Sequence, residues 1–180
     1  MMVPKFSPHQ VAQVSSLVAE YITTQRERFF PGATPLNLAE RAAMADYFLP
    51  QVLDAVRVLV LHGIRVEDPF FYPMLAGMGF SNLPGFSQMA AITFGDVVVS
   101  HMPFTDGLLF HELVHVEQYR QLGIPRFSDL YVRGFLSGGG YDGIPLEVNA
   151  YALGRRFETD PRQRFSVAEE VARWVREDRF

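Results

Sequence analysis

Residues 90–125 constrain the fold of this chain more than any other stretch. Ala90-Ala91-Ile92-Thr93-Phe94 and Val97-Val98-Val99-Ser100 are apolar, largely β-branched runs on either side of Gly95-Asp96. A two-residue connection with glycine first predicts a type II′ hairpin. A helix follows at once: Thr105 or Asp106 can cap it, and Leu108, Leu109, Leu113, Val116 and Leu122 carry the apolar positions until Gly123, with Pro125 beyond, stops it. Together with a third run at Val56–Leu61, this predicts an α+β domain in which a small sheet packs on that helix.

The rest of the chain reads as helical layers around this unit. Val11, Val14, Leu17, Val18, Tyr21 and Ile22 recur at three- and four-residue intervals, predicting a helix over 8–30 that Pro31-Gly32 ends. Asn37 and Glu40 have capping-box spacing, so a second helix is expected to run toward Pro50, making a helical N-terminal part of about 8–50. Residues 67–87 hold three prolines, three glycines and aromatics without a period, a loop packed by its own rings. Further helices are expected at 126–136, 145–158 and 166–178, with Ser137–Gly143 as a break. Gly138-Gly139-Gly140 lacks a following Lys-Ser/Thr and reads as a hinge rather than a phosphate loop. No internal repeat or linker divides the 180 residues, so one domain is expected.

Composition narrows the function. There is no cysteine, which excludes disulfide scaffolds and cysteine-ligated zinc folds and fits a reducing, cytoplasmic setting. Sixteen Lys+Arg against 20 Asp+Glu leave no basic footprint for nucleic acid or an anionic membrane surface. The first eight residues lack the apolar run of a secretory signal. The most apolar stretch, Tyr47–Val66, is broken by Pro50, Asp54, Arg57, His62 and Arg65, so no membrane span is expected.

The helix over 106–122 carries His111-Glu112-Leu113-Val114-His115. Histidines at i and i+4 share one helical face, within reach of a single zinc ion, while the intervening glutamate addresses an open coordination position. A catalytic zinc also needs a third protein ligand. The metzincin arrangement is excluded, because Gln118 and Gln121 stand where a glycine and a third histidine would be needed. His9 and His62 read as surface or strand-end residues, and His101 as a candidate for the cleft rim. Glu147, two residues after Pro145, lies in the first turn of a predicted helix, where the dipole favours a carboxylate. Asp142 is an alternative third ligand, which would make a His-His-Asp site of the aspzincin kind. A di-iron bundle needs a second Glu-x-x-His, which this chain lacks.

His111-Glu112-Leu113-Val114-His115 followed by Glu147-Val148-Asn149-Ala150 resembles the gluzincin metallopeptidases, in which a second helix supplies a glutamate in a Glu-x-x-Ala context. The stretch from Ile92 to Gln118 looks more specifically like compact bacterial gluzincin-type domains, and the resemblance spans about residues 88–158. It implies a zincin-like fold, with His111, His115 and Glu147 as zinc ligands and Glu112 as catalytic base. Larger gluzincins often place an aspartate four residues after the ligand glutamate to orient a histidine; here that residue is Tyr151.

The function expected is zinc-dependent hydrolysis of a peptide or amide bond in a peptide or protein substrate, with Glu112 moving the proton. Tyr141, nearest the ligand loop, is the candidate oxyanion donor among Tyr131, Tyr141 and Tyr151. The strand Val97–Ser100 is expected to take an extended substrate by strand addition if it lies at the sheet edge. The rival reading is a non-hydrolytic zinc-binding interaction or regulatory module, its cleft covered by the aromatic loop with Phe70, Phe71, Tyr72, Phe80 and Phe86.

Overall fold

A computed structural model describes residues 6–80, 82–160 and 162–180. Met1–Lys5, part of the segment read above for a secretory signal, lie outside them. The fold is mixed α+β. Its helices are α1 (Pro8–Phe29), α2 (Leu38–Met44), α3 (Pro50–Ala55), α4 (Tyr72–Gly77), α5 (Asp106–Gly134), α6 (Pro145–Thr159) and α7 (Val167–Arg176). Its strands are β1 (Arg57–Val60), β2 (Ala91–Phe94) and β3 (Val97–Ser100). No helix among the described residues is long and apolar enough to cross a membrane.

The hairpin forms as its turn chemistry dictates. Gly95 has φ 68°, and Asp96 is not in the positive-φ region, the pattern of a turn whose first central residue alone must be left-handed. Thr93 pairs Val98 and Phe94 pairs Val97 in the antiparallel β2–β3 ladder. β1 joins β3 in parallel, from Arg57 beside Val97 to Val60 beside Ser100, giving the order β1-β3-β2.

That order corrects one expectation: β3 is the central strand, with both edges already paired, so nothing can add to it. β2 is the free edge, but all four of its residues are buried, and α1 and α5 pack against it.

Alternation along β3 sorts its side chains into two cores, as the strand period requires. Val97 and Val99 join α1, the 67–87 segment, Tyr119 and Phe127 in one; Val98 joins Met44, Phe48, Val52, Leu113 and Val171 in the other. α5 runs between the two and is buried on both sides.

Three boundaries differ from the sequence expectations. The Asn37/Glu40 capping box forms, but α2 ends at Met44, where Tyr47 and Phe48 turn into the core, and Pro50 opens α3 instead of breaking α2. Residues 67–87 contain the short helix α4. Gly123 does take a non-helical conformation (φ 74°, ψ 159°), yet the chain resumes helix at once, so the two predicted helices form one kinked rod. The 137–143 break is a π-helical turn at Phe135–Gly139, then a 3-10 turn at Tyr141–Gly143.

Candidate metal centre

α5 presents His111 and His115 to α6 because its other faces are taken. Leu109, Phe110, Leu113 and Val114 are each 1% exposed or less and fill one core, while Tyr119 and Phe127 enter the other. Thr105 caps the helix, its Oγ1 accepting the Leu108 amide at 3.2 Å. α6 comes close through Gly134 at the end of α5: a β-carbon there would stand 2.7 Å from Pro145 Cδ and 3.3 Å from Ile144 Cα, so only glycine allows the approach. Pro145 then opens α6 with its fixed φ and places Glu147 in the first turn.

The three side chains converge. His111 Nε2 and His115 Nε2 lie 3.2 Å apart, and Glu147 Oε2 is 3.5 Å from the first and 3.4 Å from the second. A tetrahedral ion with bonds of about 2.0–2.1 Å has ligand–ligand edges of about 3.3–3.4 Å, so the three atoms mark one face of such a tetrahedron. Glu147 Oε2 is buried without a hydrogen-bond partner, an orphan acceptor that a cation would satisfy. This buried group can hold a metal ion.

Electrostatics point the same way. Two imidazole lone pairs and a carboxylate directed at one point repel unless a proton or a cation lies between them. In the metal-free chain a proton does: burial alone would lower the His115 pKa, but the Glu147 carboxylate beside it raises it to about 9. Burial alone would raise the Glu147 carboxyl, yet the charge on His115 beside it, with His111 adding to the effect, holds it well below the usual carboxylate range.

A second layer of polar groups aims these ligands. His115 Nδ1–H donates to Gln118 Oε1 at 2.8 Å, which leaves the Nε2 lone pair for the ion. Gln118 Nε2 donates in turn to Leu146 O at 3.0 Å and to Asn149 Oδ1 at 2.9 Å, tying α5 to the helix that carries Glu147. Gln118 and Asn149 are wholly buried. Gln118 thus orients a histidine, while the Tyr151 ring packs on His111 at 4.6 Å between centroids. Sequence reasoning missed this role. The signal available was a glutamine three residues after His115, on the same face of a helix with little solvent-facing surface.

Glu112 is buried beside the ligands but stands outside the ligand cluster. Thr93 Oγ1 on β2 donates to its Oε2 at 2.7 Å, fixing one carboxylate oxygen and leaving the other for chemistry. The role of Thr93 was also not anticipated. Among the remaining candidates, Asp142 is exposed and outside the cluster. His9 and His62 are exposed. His101 is structural: its Nε2 accepts the Val66 amide at 3.0 Å and its Nδ1 meets Met89 O at 2.7 Å, pinning both ends of the aromatic segment.

Two spaces meet at His111 and Glu112. An inner cavity runs from His111, His115 and Glu147 between β2, α1 and the aromatic segment, whose Phe71, Tyr72 and Phe86 form one wall. A surface groove leads the other way, past Gly107, Tyr151, Gly154, Arg155 and Glu158. Tyr141 lines both. Burial, reinforced by Glu147, pushes its phenol far above the normal range, so it remains a hydrogen-bond donor at any working pH.

No family model matches the chain, and neither a curated protein nor a solved structure does.

Proposed function

We propose that this chain is a zinc-dependent hydrolase of amide or peptide bonds, with a zincin-like arrangement of the gluzincin type. The observation that carries the reading is the pairing of a three-atom tetrahedral face, His111, His115 and Glu147, with a separate carboxylate, Glu112, held beside it by Thr93. Two imidazoles and one carboxylate are a donor set that suits zinc and leave a fourth position open. When bound there, the ion supplies Lewis-acid chemistry, lowering the pKa of a water and polarising a carbonyl.

The chain's own residues do the rest. Glu112 accepts the proton of the attacking water and delivers it to the departing nitrogen, and Thr93 keeps it in position for both transfers. Tyr141 donates to the oxygen on which charge develops. Gln118 keeps His115 in the ligating tautomer.

One observation favours the rival, a non-hydrolytic zinc module: the aromatic segment walls one side of the cavity. The groove beside Arg155 and Glu158 favours catalysis, because it gives His111 and Glu112 a second approach.

Glu112→Gln separates the two. Metal content, thermal midpoint and turnover of a mixed peptide and amide library are measured in parallel for the variant and the wild type. The hydrolase reading expects metal and fold to be kept while rate falls about 10²–10⁴-fold, the usual contribution of a positioned acid–base group. Equal rates remove Glu112 from the mechanism. Absence of cleavage by either protein, with equal metal, makes the non-hydrolytic module the better account.

A further inference from the structure

A further cavity adjoins the inner one. Lined by Phe6, Leu75, Phe80, Leu83 and Phe135 among others, it shares the walls Val18, Phe71, Tyr72 and Tyr131 with the first and has no charged side chain on its lining. Two of the hydroxyls that border these spaces are already spent. Tyr21 donates to Glu67 O at 2.6 Å and Tyr72 to Pro84 O at 2.8 Å, so both offer ring faces to an occupant. The carboxylates and imidazoles of the inner cavity, those of Glu112, Glu147, His111 and His115, all stand at its metal end. A polar group pushed deeper would lose water without gaining a partner, which is costly, whereas a methylene chain would gain at every step.

The sheet edge does not favour a polypeptide. β2 faces the inner cavity and not open solvent, and the carbonyl of Thr93 already accepts the Tyr119 hydroxyl at 3.4 Å. An extended peptide therefore finds no solvent-exposed strand at β2 to pair with. The groove on the other side of Glu112 is different: it is polar at its far end, where Arg155 and Glu158 are exposed.

We infer that the substrate is an N-acylated polar amine, its unbranched acyl chain entering the apolar cavities while its amine portion leaves along the Arg155–Glu158 groove. This rests on the hydrolytic reading above and names its substrate class. Water oxygen bonds to the acyl carbon, the carbon–nitrogen bond breaks, and the proton taken by Glu112 goes to the nitrogen. The products are a carboxylic acid and a free amine, with no change of oxidation state.

The test uses straight-chain hydroxamic acids from acetyl to decanoyl, with dissociation constants measured on both the zinc-loaded and the metal-free protein. The expected result is affinity rising about fourfold per added methylene over the first several carbons in both forms, with zinc adding a constant factor at every length. Val18→Trp, which fills the wall common to both cavities, should bring decanoyl affinity down toward that of acetyl and leave acetyl unchanged, the unchanged value also showing that the variant is folded. Val18→Phe serves the same purpose if the larger ring is not accommodated. A flat dependence on chain length in both forms overturns the inference even if zinc binds. A chain-length gain with no contribution from zinc keeps the chain-binding cavity but overturns the metal-dependent reading beneath it.

Discussion

The two walls of the site are built by different means. The ligand wall, α5 with α6, is fixed by directional bonds between buried polar groups: His115 to Gln118, Gln118 to Leu146 and Asn149, and Thr93 to Glu112. The facing wall, α1 with the aromatic segment, is held by ring packing such as Tyr21 against Phe86 at 5.5 Å and by side chains clasping backbone, as His101 does at both ends of the segment. Coordination demands angles and distances, which hydrogen bonds impose; an apolar occupant demands only a shape, which packing provides. Changes on the first wall should therefore cost metal, and changes on the second should alter fit and mobility while sparing the metal.

Gln118→Ala should have the largest effect. It removes the partner of His115 Nδ1 and leaves Leu146 O and Asn149 Oδ1 without the amide they accept. Metal affinity should fall about 10–100-fold and stability by about 3 kcal/mol, as measured by metal titration and denaturant unfolding. Undiminished affinity would break the distinction between the walls.

Proton linkage gives the next effect. The His115 pKa, raised from 6.5 to about 9 in the metal-free fold, means that between those values the folded chain holds a proton that the unfolded chain releases. Its stabilising contribution is fully present below about 6.5 and is lost as pH rises through about 9. Metal must displace the same proton, so affinity should climb about tenfold per pH unit up to about 9, with about one proton released per ion near pH 7.5. Calorimetric titration in buffers of different ionisation enthalpy reads this release directly; no release means that the proton is not held at the centre.

The facing wall should respond to His101→Ala. Its clamp on Val66 and Met89 is lost, at a cost of about 1–2 kcal/mol, and amide exchange across residues 67–88 should quicken while metal affinity stays unchanged. A drop in metal affinity would show that the two walls are coupled.

What the sequence revealed follows from how far each signal reaches along the chain. The Gly95 turn, the Asn37/Glu40 capping box and the two histidines one helical turn apart are settled within a few residues, and all could be read directly. Thr93 acts across 19 residues and Gln118, besides reaching His115 three residues away, across 31, so the Thr93–Glu112 and Gln118–Asn149 pairs emerge only when β2 and α6 are docked on α5. The central place of β3 was hidden for the same reason, because it depends on pairing Arg57 with Val97. At Gly123 the local stop signal was correct in conformation, but packing of Phe127 and Val132 into the core carries the helix onward.

The most direct measurement is the metal content and X-ray absorption spectrum of the purified chain after zinc loading, repeated for His115→Ala, Glu147→Gln and Asp142→Asn. The predicted result is one zinc per chain with nitrogen and oxygen neighbours at about 2.0–2.1 Å, retained in Asp142→Asn, markedly weakened in Glu147→Gln and lost in His115→Ala. Full occupancy in His115→Ala, or loss in Asp142→Asn with retention in Glu147→Gln, would contradict it.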